Sequence, residues 1–423
     1  MSLPFEMPKW VNEDEMRLES RFDPQGRWIS GTMNEVAVPH PPGSKQREVV
    51  IRDDTLRSGG NTPGVYASLD KKLRIAAALE EMGVKEAEVG YGGLPDDQRF
   101  VQILRQRNTP IVLGMHARSW LPNWKAEIDA IADCGAHLVN FVGMQGYALT
   151  RALHPHLAGE AFLVRMEECI AYAKQRGLIA SFGTDHPRAD MMPETVRRAT
   201  AAGLDRWVVY DTRGWFLPQT MAMMVNIARA ASEDKIEITV HAHDDFGLAT
   251  ANTFEGIRAG AMGCDVCVNR TGHRCGNAAF EQVAVGFEYF FGYRTGIDLT
   301  KVAGLSKLVS ELYDIPIPEN APIVGHNMFS YGGLHIPGVL SGDWFLWENI
   351  RAESVGSKRH IVYGPSALQR GPGSPLDAKL GSLGKSASEG QMDRIANGLR
   401  ELIEAKKFAT DAEVETIISR VMG

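Results

Sequence analysis

The feature that most constrains the fold of this chain is a regular alternation of strand-like and helix-like segments between residues 47 and 291. Eight short runs with strand character are each followed by a segment with helical periodicity. In Leu69–Met82, for example, Leu73, Ala76 and Leu79 fall on one face, and Gly83 ends the helix. Eight such units within about 245 residues predict a closed (β/α)8 barrel rather than an open doubly wound sheet.

Several of the predicted strands are near-continuous apolar runs, as expected for strands that are covered on both faces. The strands are Glu48–Leu56, Glu86–Tyr91, Pro110–His116, His137–Gly143, Leu178–Asp185, Arg206–Thr212, Ile236–His243 and Cys264–Asn269. The helices are Leu69–Met82, Asp97–Gln106, Trp124–Asp133, Glu160–Arg176, Glu194–Ala202, Gln219–Ala231, Leu248–Ala261 and Ala278–Phe291.

Outside the barrel, assigned to residues 47–295, the alternation is absent. Residues 1–46 are Pro-rich and irregular, and we interpret them as an arm that packs on another surface, such as a partner subunit. Residues 296–423 form a smaller region with a helix over 299–312, turns and loops to about 385, and closing helices over 389–405 and 411–422.

Composition excludes several classes of function. The chain is 44% hydrophobic and 23% charged with a formal net charge of −7, which gives no basic surface for nucleic acid or anionic lipid. It has neither an apolar run of about 18 residues nor a secretory signal, so we expect a cytoplasmic protein. Five cysteines fit a reducing compartment. Cys264 and Cys267 point to opposite faces of a predicted strand, which favours buried packing over zinc binding.

The segment Ile238–Thr253 carries the clearest chemical pattern. His241 and His243 lie two residues apart on a predicted strand, so both rings project to the same face and can meet one metal ion. The alternative is a pair of ordinary polar residues at a strand end. Because the active sites of such barrels lie at the carboxyl ends of the strands, the position favours a metal or active site.

Other polar residues also follow the predicted strands. The set comprises Asp53, Asp54, Arg57, Glu88, His116, Asp185, His186, Arg188, Asp211, Thr212, Arg213, His241, His243, Asp244, Asn269, His273, Arg274 and Asn277. Individually, Asp211 and Thr212 fit a helix cap, Arg188 a rim salt bridge, and Glu88 or Asp53 a partner for a buried arginine. Together, so many ionisable groups at one barrel mouth predict an active site, because buried charge without partners is costly.

The segment Asp53-Asp-Thr-Leu-Arg57-Ser-Gly-Gly-Asn61 resembles the Asp-Thr-Thr-Leu-Arg-Asp-Gly-Glu-Gln signature of the DRE-TIM metallolyases. Within that superfamily the chain is most similar to the isopropylmalate and homocitrate synthase branch. Further matches lie at residues 88–91, 182–188, 211–214, 241–253, 272–277, 326–329, 333–338 and 355–364. The resemblance therefore covers roughly residues 47–370.

The resemblance implies a Claisen-type condensation, in which the enolate of an acyl-CoA adds to an α-keto acid chelated to a divalent metal (Zn, Mg or Mn). Arg57 would stabilise oxyanion charge, and His335 would be an acid/base group that reaches the barrel of a partner subunit in a homodimer. With these, the implied site residues are Glu88 as a further catalytic residue, Thr212, Arg188, Asp185 and His116 at the substrate, and His241, His243, Asn277 and Asp54 at the metal.

Several family acids are absent from this chain. Ser58 replaces the acidic metal ligand, and Gly60, Thr184 and His273 stand at three further acidic positions, while Arg213 adds a cation. These changes make the mouth more positive, although a divalent ion needs anionic ligands.

Two explanations fit the missing acids. Metal binding is weakened or altered, or else Asp54, Asp244 or the carboxylates of a more anionic substrate supply the negative charge. We favour the first, because Asp54 lies too deep in its strand to replace Ser58 without a backbone shift. In both cases we expect a substrate that differs from those of the standard synthases.

The sequence leaves three functions open. The first is the condensation. The second is a C–C bond-cleaving lyase or aldolase of the HMG-CoA lyase type, since the same barrel and enolate chemistry serve both directions. The third is a non-catalytic paralogue that binds a carboxylate, a reading suggested by the missing acids.

Overall fold

The computed structural model describes residues 19–37, 47–143, 155–342 and 344–423, together with residues 12, 14, 15 and 152. The described residues from 47 to 317 form one compact unit. Those of 19–37 and 318–423 form a second compact unit.

The first unit is a closed barrel of eight parallel strands, in which each strand pairs with its neighbour in sequence and the last pairs with the first. The strands are β1 (Val50–Asp53), β2 (Glu86–Tyr91), β3 (Val112–Ala117), β4 (Leu138–Gly143), β5 (Ile179–Thr184), β6 (Arg206–Asp211), β7 (Glu237–Ala242) and β8 (Gly263–Val266). Gly263 pairs with Val50 to close the cylinder. The predicted (β/α)8 barrel is therefore confirmed.

Helices follow the strands around the outside of the barrel. They are α1 (Leu69–Met82), α2 (Pro95–Gln106), α3 (Trp124–Asp133), α4 (Glu160–Gln175), α5 (Met192–Ala201), α6 (Pro218–Ser232), α7 (Ala249–Arg258), α8 (Phe280–Phe291) and α9 (Val302–Tyr313). Each predicted helix is present within a few residues of its expected ends. In α1, Ser68 caps the first turn by accepting from the Lys71 amide, and Gly83 ends the helix at φ 85°.

Two strands end earlier than the sequence suggested. The chain turns directly after β1, where the amides of Arg57 and Gly59 both donate to the Asp54 carbonyl. After β8 the chain enters a short 3-10 turn, with Asn269 and Arg270 both at φ 56°. The predicted strands over 48–56 and 264–269 were therefore too long, because local turns at the carboxyl ends interrupt the sheet.

The amino end of the barrel interior holds paired charges, which we call the floor network: Arg52, Glu86, Arg206, Glu237 and Asp265. Arg52 Nε donates to Asp265 Oδ1 at 2.6 Å, and its Nη1 donates to Glu86 Oε1 at 3.2 Å. Arg206 Nη2 donates to Glu86 Oε2 at 2.9 Å and lies 2.8 Å from Glu237 Oε2. Each buried charge thus has an opposite partner, as burial requires.

The second unit contains a small three-stranded sheet of Ser330–Tyr331, His360–Tyr363 and Ala409–Thr410. Its helices are Ile336–Ser341, Pro375–Ser382, Glu389–Lys406 and Asp411–Met422, and they surround a core that includes Tyr363, Leu376, Ile395 and Leu399. The two closing helices match the prediction, and each begins with a capping box, at Ser388 and Thr410. The helix Pro375–Ser382 was expected to be loop.

The described part of the N-terminal arm is a hairpin of Ser20–Phe22 and Ile29–Gly31, followed by the helix Met33–Ala37. The Ile29 amide donates to the Asn349 carbonyl, so this part of the arm packs on the C-terminal region of its own chain. Residues 1–11 and 38–46 of the predicted arm lie outside the described residues. None of the described helices combines the length and apolar character that crossing a bilayer requires.

Candidate active site

The carboxyl ends of the barrel strands bring Arg57, Glu88 and His116 into contact. Arg57 Nε lies 3.4 Å from Glu88 Oε1, and Arg57 Nη2 lies 3.1 Å from His116 Nδ1. The Tyr91 ring supports the guanidinium, with its centroid 5.2 Å from Cζ. All three charged or titratable side chains are largely buried.

The tautomer of His116 follows from this geometry. A guanidinium can only donate hydrogen bonds, so His116 Nδ1 accepts and the ring carries its proton on Nε2. Burial and the Arg57 charge hold the pKa of His116 well below its ordinary value. The ring is therefore a neutral hydrogen-bond donor at neutral pH.

Three residues that the sequence analysis missed hold Glu88 in place. Asn140 Nδ2 donates to Glu88 Oε2 at 3.2 Å and to the Tyr210 hydroxyl at 2.8 Å. Asn140 Oδ1 accepts from Ser181 Oγ at 2.9 Å. These residues lie inside apolar strands and belong to no recognisable motif. The available signal was a polar residue at an inward-facing strand position.

His241 lies between groups of different chemistry. Its Nδ1 lies 3.0 Å from Asp265 Oδ2 and 3.7 Å from Asp54 Oδ2. On the other side of the ring, Asn277 Nδ2 lies 2.9 Å from Nε2. Because an amide nitrogen donates, Nε2 accepts and Nδ1 donates its proton to Asp265. Asp265 was not among the predicted site residues, since we read it only as part of an apolar strand beside two cysteines.

Both of those cysteines, Cys264 and Cys267, are buried and free, as expected for packing residues.

His243 lies beside His241, with the two ring centroids 5.3 Å apart. Burial, together with the nearby His241, lowers the pKa of His243 to about 2, so the ring is neutral. A neutral imidazole can donate a lone pair to a metal or accept from a substrate.

Several buried polar atoms at this mouth lack a hydrogen-bond partner within the part of the chain that the structure describes. They are Asp54 Oδ2, Arg57 Nε, Glu88 Oε1 and His243 Nδ1. Native proteins leave few buried polar atoms unsatisfied, and a cluster of them indicates a place where an ion or a polar ligand binds.

Of the predicted substrate residues, His116 belongs to the cluster described above and Asp185 is buried, whereas Arg188 and Thr212 are partly exposed. Asp185 Oδ2 lies 2.9 Å from His186 Nδ1, and Arg213 Nε donates to His186 Nε2 at 3.0 Å. Arg188 is half-exposed and pairs with Asp190 at 3.0 Å, as in the rim salt bridge considered above.

Thr212 is half-buried, and its carbonyl accepts from Arg274 Nη2 at 2.7 Å. The neighbouring Asp211 carboxylate accepts from the amides of Trp215 and Phe216 in the turn before α6, so it holds this turn rather than capping the helix, whose N-cap residue is Leu217.

None of the four positions that lack a family acid, Ser58, Gly60, Thr184 and His273, carries a carboxylate. Ser58 Oγ accepts from Arg57 Nη1 at 3.1 Å. Of the two acids considered as replacements, Asp244 uses both oxygens, accepting from the Ala249 amide and from Arg270. Asp54 directs Oδ2 towards His241 instead. Asp54 was expected to lie deep in its strand, but β1 ends at Asp53 and Asp54 begins the turn that follows.

A group of three buried residues has the composition of a metal site. Ligand atoms of Asp54, His241 and Asp265 all lie within 4.8 Å of one another. Two carboxylates and an imidazole are suitable ligands for first-row divalent ions.

His335 belongs to the second unit. It ends the 3-10 turn Gly333–His335, and its exposed ring packs edge-on against Trp347 with centroids 4.2 Å apart. The acid/base role assigned to it from the resemblance stays a prediction.

Comparisons with known proteins agree with this geometry. A protein of Archaeoglobus fulgidus, provisionally named (R)-citramalate synthase, is 37% identical over 380 residues, which is 89% of this chain and 76% of the relative. The 2-isopropylmalate synthase of Sulfolobus acidocaldarius is 32% identical over 384 residues, 89% of this chain and 96% of the relative.

Among solved structures, the HMG-CoA lyase of Brucella melitensis matches with a TM-score of 0.55 at 19% identity, over 63% of this chain and 99% of the lyase, which is a likeness of fold. The family model described as HMGL-like matches residues 48–309. The chain therefore belongs to the HMGL-like family of (β/α)8 barrel proteins.

Proposed function

We propose that this protein is an acyltransferase that condenses an acyl-CoA with an α-keto acid. The observation that carries the proposal is the cluster of Arg57, Glu88 and His116 at the barrel mouth, beside unsatisfied buried atoms of Asp54 and His243. The two relatives described above are both named as synthases, which favours condensation over cleavage or a non-catalytic role.

Condensation needs positive charge where an enolate or alkoxide oxygen develops. Arg57 is a buried, permanently charged donor that Glu88 and the Tyr91 ring hold in place. Neutral His116 offers its Nε2–H as a second donor. Among the described residues no group donates a hydrogen bond to Glu88 Oε1, so this oxygen can accept one from a substrate hydroxyl.

A divalent metal, when bound, would polarise the keto-acid carbonyl as a Lewis acid. The donor set fits such an ion, since Asp54 Oδ2 is a buried carboxylate oxygen that accepts no hydrogen bond from the described residues and lies 3.7 Å from His241 Nδ1. The predicted ligands His243 and Asn277 lie near the same ring. Whether the ion is Zn²⁺, Mg²⁺ or Mn²⁺ depends on ligand number and geometry.

Substrate contacts remain part of the proposal. We assign the keto-acid carboxylate to Thr212 and expect Asp185, Arg188 and His116 to contribute contacts. We further assign His335 as an acid/base group that acts at the barrel of the partner subunit in a homodimer.

The test is release of free thiol when the purified chain is mixed with acetyl-CoA and a panel of α-keto acids, with added divalent metal. Activity should fall sharply in Arg57→Ala. The matched control is Arg229→Ala, an arginine on the outer helix α6 that pairs with Asp234. Silence of the unmodified protein across a broad panel would contradict the proposal.

A further inference from the structure

The anionic groups near His241 lie on one side of its ring. Nδ1 lies 3.0 Å from Asp265 Oδ2 and 3.7 Å from Asp54 Oδ2. Nε2 faces the neutral amide of Asn277. A divalent cation is stabilised by anionic ligands that offset its desolvation, so the Nδ1 side is the more favourable position.

Each of these carboxylates is oriented through its other oxygen. Asp265 Oδ1 accepts from Arg52 Nε at 2.6 Å, and Asp54 Oδ1 accepts from the Ser58 amide at 3.2 Å. Both Oδ2 atoms are thereby held towards the same imidazole nitrogen. Metal ligands are typically oriented by hydrogen bonds to a second shell in this way.

The Asp54 carboxylate also lacks a donor that it needs. Its Oδ2 is buried and accepts no hydrogen bond from the described residues, and its nearest cation, Arg57 Nη1, lies 3.8 Å away, beyond hydrogen-bond distance. His241 Nδ1 carries at most one proton, and that proton is directed to Asp265. A cation bound between the three groups would give Asp54 Oδ2 a partner and would take the place of the proton that His241 Nδ1 shares with Asp265.

The sequence around β1 also favours a metal position on the Nδ1 side of His241. In the signature that this segment resembles, a threonine stands at the position of Asp54 and an aspartate at the position of Ser58. This chain has the reverse distribution, with the carboxylate four residues earlier. The segment thus lacks the acid of the signature at Ser58 and gains an acid at Asp54, whose Oδ2 lies 3.7 Å from His241 Nδ1.

We propose that Asp54, Asp265 and His241 Nδ1 form a divalent-metal site, in place of a site formed by His241 Nε2, His243 and Asn277. The imidazole remains neutral, with its proton on Nε2. The Asn277 amide, rotated by 180° about its last bond, then accepts a hydrogen bond from the Nε2–H group through Oδ1. His243 Nδ1 remains available to the substrate.

The inference deepens the proposed function, on which it rests for the presence of a metal, and metal binding tests it without turnover. Mn²⁺ alone is titrated calorimetrically into the metal-stripped full chain. We expect one Mn²⁺ per chain, and an affinity reduced by about 30-fold or more in Asp54→Asn and Asp265→Asn. His243→Ala should stay within about threefold of the unmodified protein, since its loss removes no ligand in the proposed site.

Asp53→Asn is the matched control. Asp53 is the adjacent buried aspartate, but its carboxylate accepts from the Thr55 amide and hydroxyl rather than facing His241. The variant makes the same chemical change one residue away and should bind Mn²⁺ within about threefold of the unmodified protein. Circular dichroism confirms that each variant is folded.

Absence of stoichiometric Mn²⁺ binding would overturn the inference, because a proton would then occupy the position. Equal losses in His243→Ala and Asp54→Asn, or no loss in Asp54→Asn, would overturn it too. Thiol release that survives such a result leaves the proposed function standing. Mn²⁺ binding through Asp54 in a protein that condenses no tested substrate supports this inference and contradicts the function.

Discussion

Replacing Glu281 by Gln should make the barrel less sensitive to alkaline pH. Glu281 is the second residue of α8, it is 3% exposed, and its Oε2 accepts from the Asn269 amide at 3.1 Å. Burial raises the pKa of Glu281 from 4.5 to about 7, against smaller opposing effects of hydrogen bonds and Arg270. Glutamine has the same shape, keeps the acceptor oxygen and never ionises.

The magnitude follows from linkage between protonation and folding. A pKa of Glu281 that rises from 4.5 to about 7 on folding corresponds to about 3 kcal/mol, at about 1.4 kcal/mol for each pH unit. The folded state holds the proton more tightly than the unfolded state. This contribution to stability is therefore complete below pH 4.5 and is lost as the pH rises through about 7.

Urea unfolding followed by far-ultraviolet circular dichroism, at intervals from pH 4.5 to pH 9, measures the effect. Relative to the unmodified chain, Glu281→Gln should gain about 3 kcal/mol between the two ends of that range. Glu311→Gln, which removes a carboxylate 59% exposed on α9, is the control for the loss of one surface charge. Parallel curves for Glu281→Gln and the unmodified chain would refute the reasoning, because Glu281 would then not bind its proton more tightly on folding.

Three further substitutions test other parts of the structure. Arg57→Lys should lower kcat by about 100-fold, because one ammonium group cannot reproduce the several donors of the guanidinium, while the urea midpoint stays unchanged. Near-normal turnover would contradict the role of Arg57 in stabilising oxyanion charge. Glu86→Gln should destabilise the barrel by about 3 kcal/mol in the same urea assay, since Arg52 and Arg206 lose their shared anion, and an unchanged midpoint would count against that pairing. Gly276→Ala should abolish or strongly impair folding, because the alanine Cβ would lie 1.5 Å from the Arg270 carbonyl oxygen at a residue whose φ is 85°. Soluble yield and circular dichroism measure the effect, and a normal melting temperature would contradict the turn geometry.

The barrel was predictable because its signal repeats. Eight apolar strands each followed by an amphipathic helix leave few alternatives, and an error of two or three residues at one end does not change the topology. The ends were less predictable. Asp54 and Asn269 make turns through backbone geometry and side-chain hydrogen bonds that no periodicity reveals.

The site was predictable where it coincides with a motif and not elsewhere. His241, Arg57 and Glu88 stand in recognisable segments, and the structure brings them together, with Arg57 beside Glu88 and Asp54 between Arg57 and His241. Asp265 and Asn140 are isolated polar residues in apolar strands, and their partners come from other strands. Such contacts depend on barrel register, as in the pairing of Asp265 with the strand of His241, which a single sequence does not display.

The carboxylate of Asp265 connects the floor network to the candidate active site. Its Oδ1 takes part in the floor network with Arg52, and its Oδ2 faces His241. Replacing buried ion pairs by apolar residues has stabilised other proteins. In this barrel, replacing Arg52 would remove the hydrogen bond that orients the Asp265 carboxylate towards His241. Directed-evolution libraries that vary Arg52 or Glu86 should therefore be screened for metal preference as well as for heat resistance.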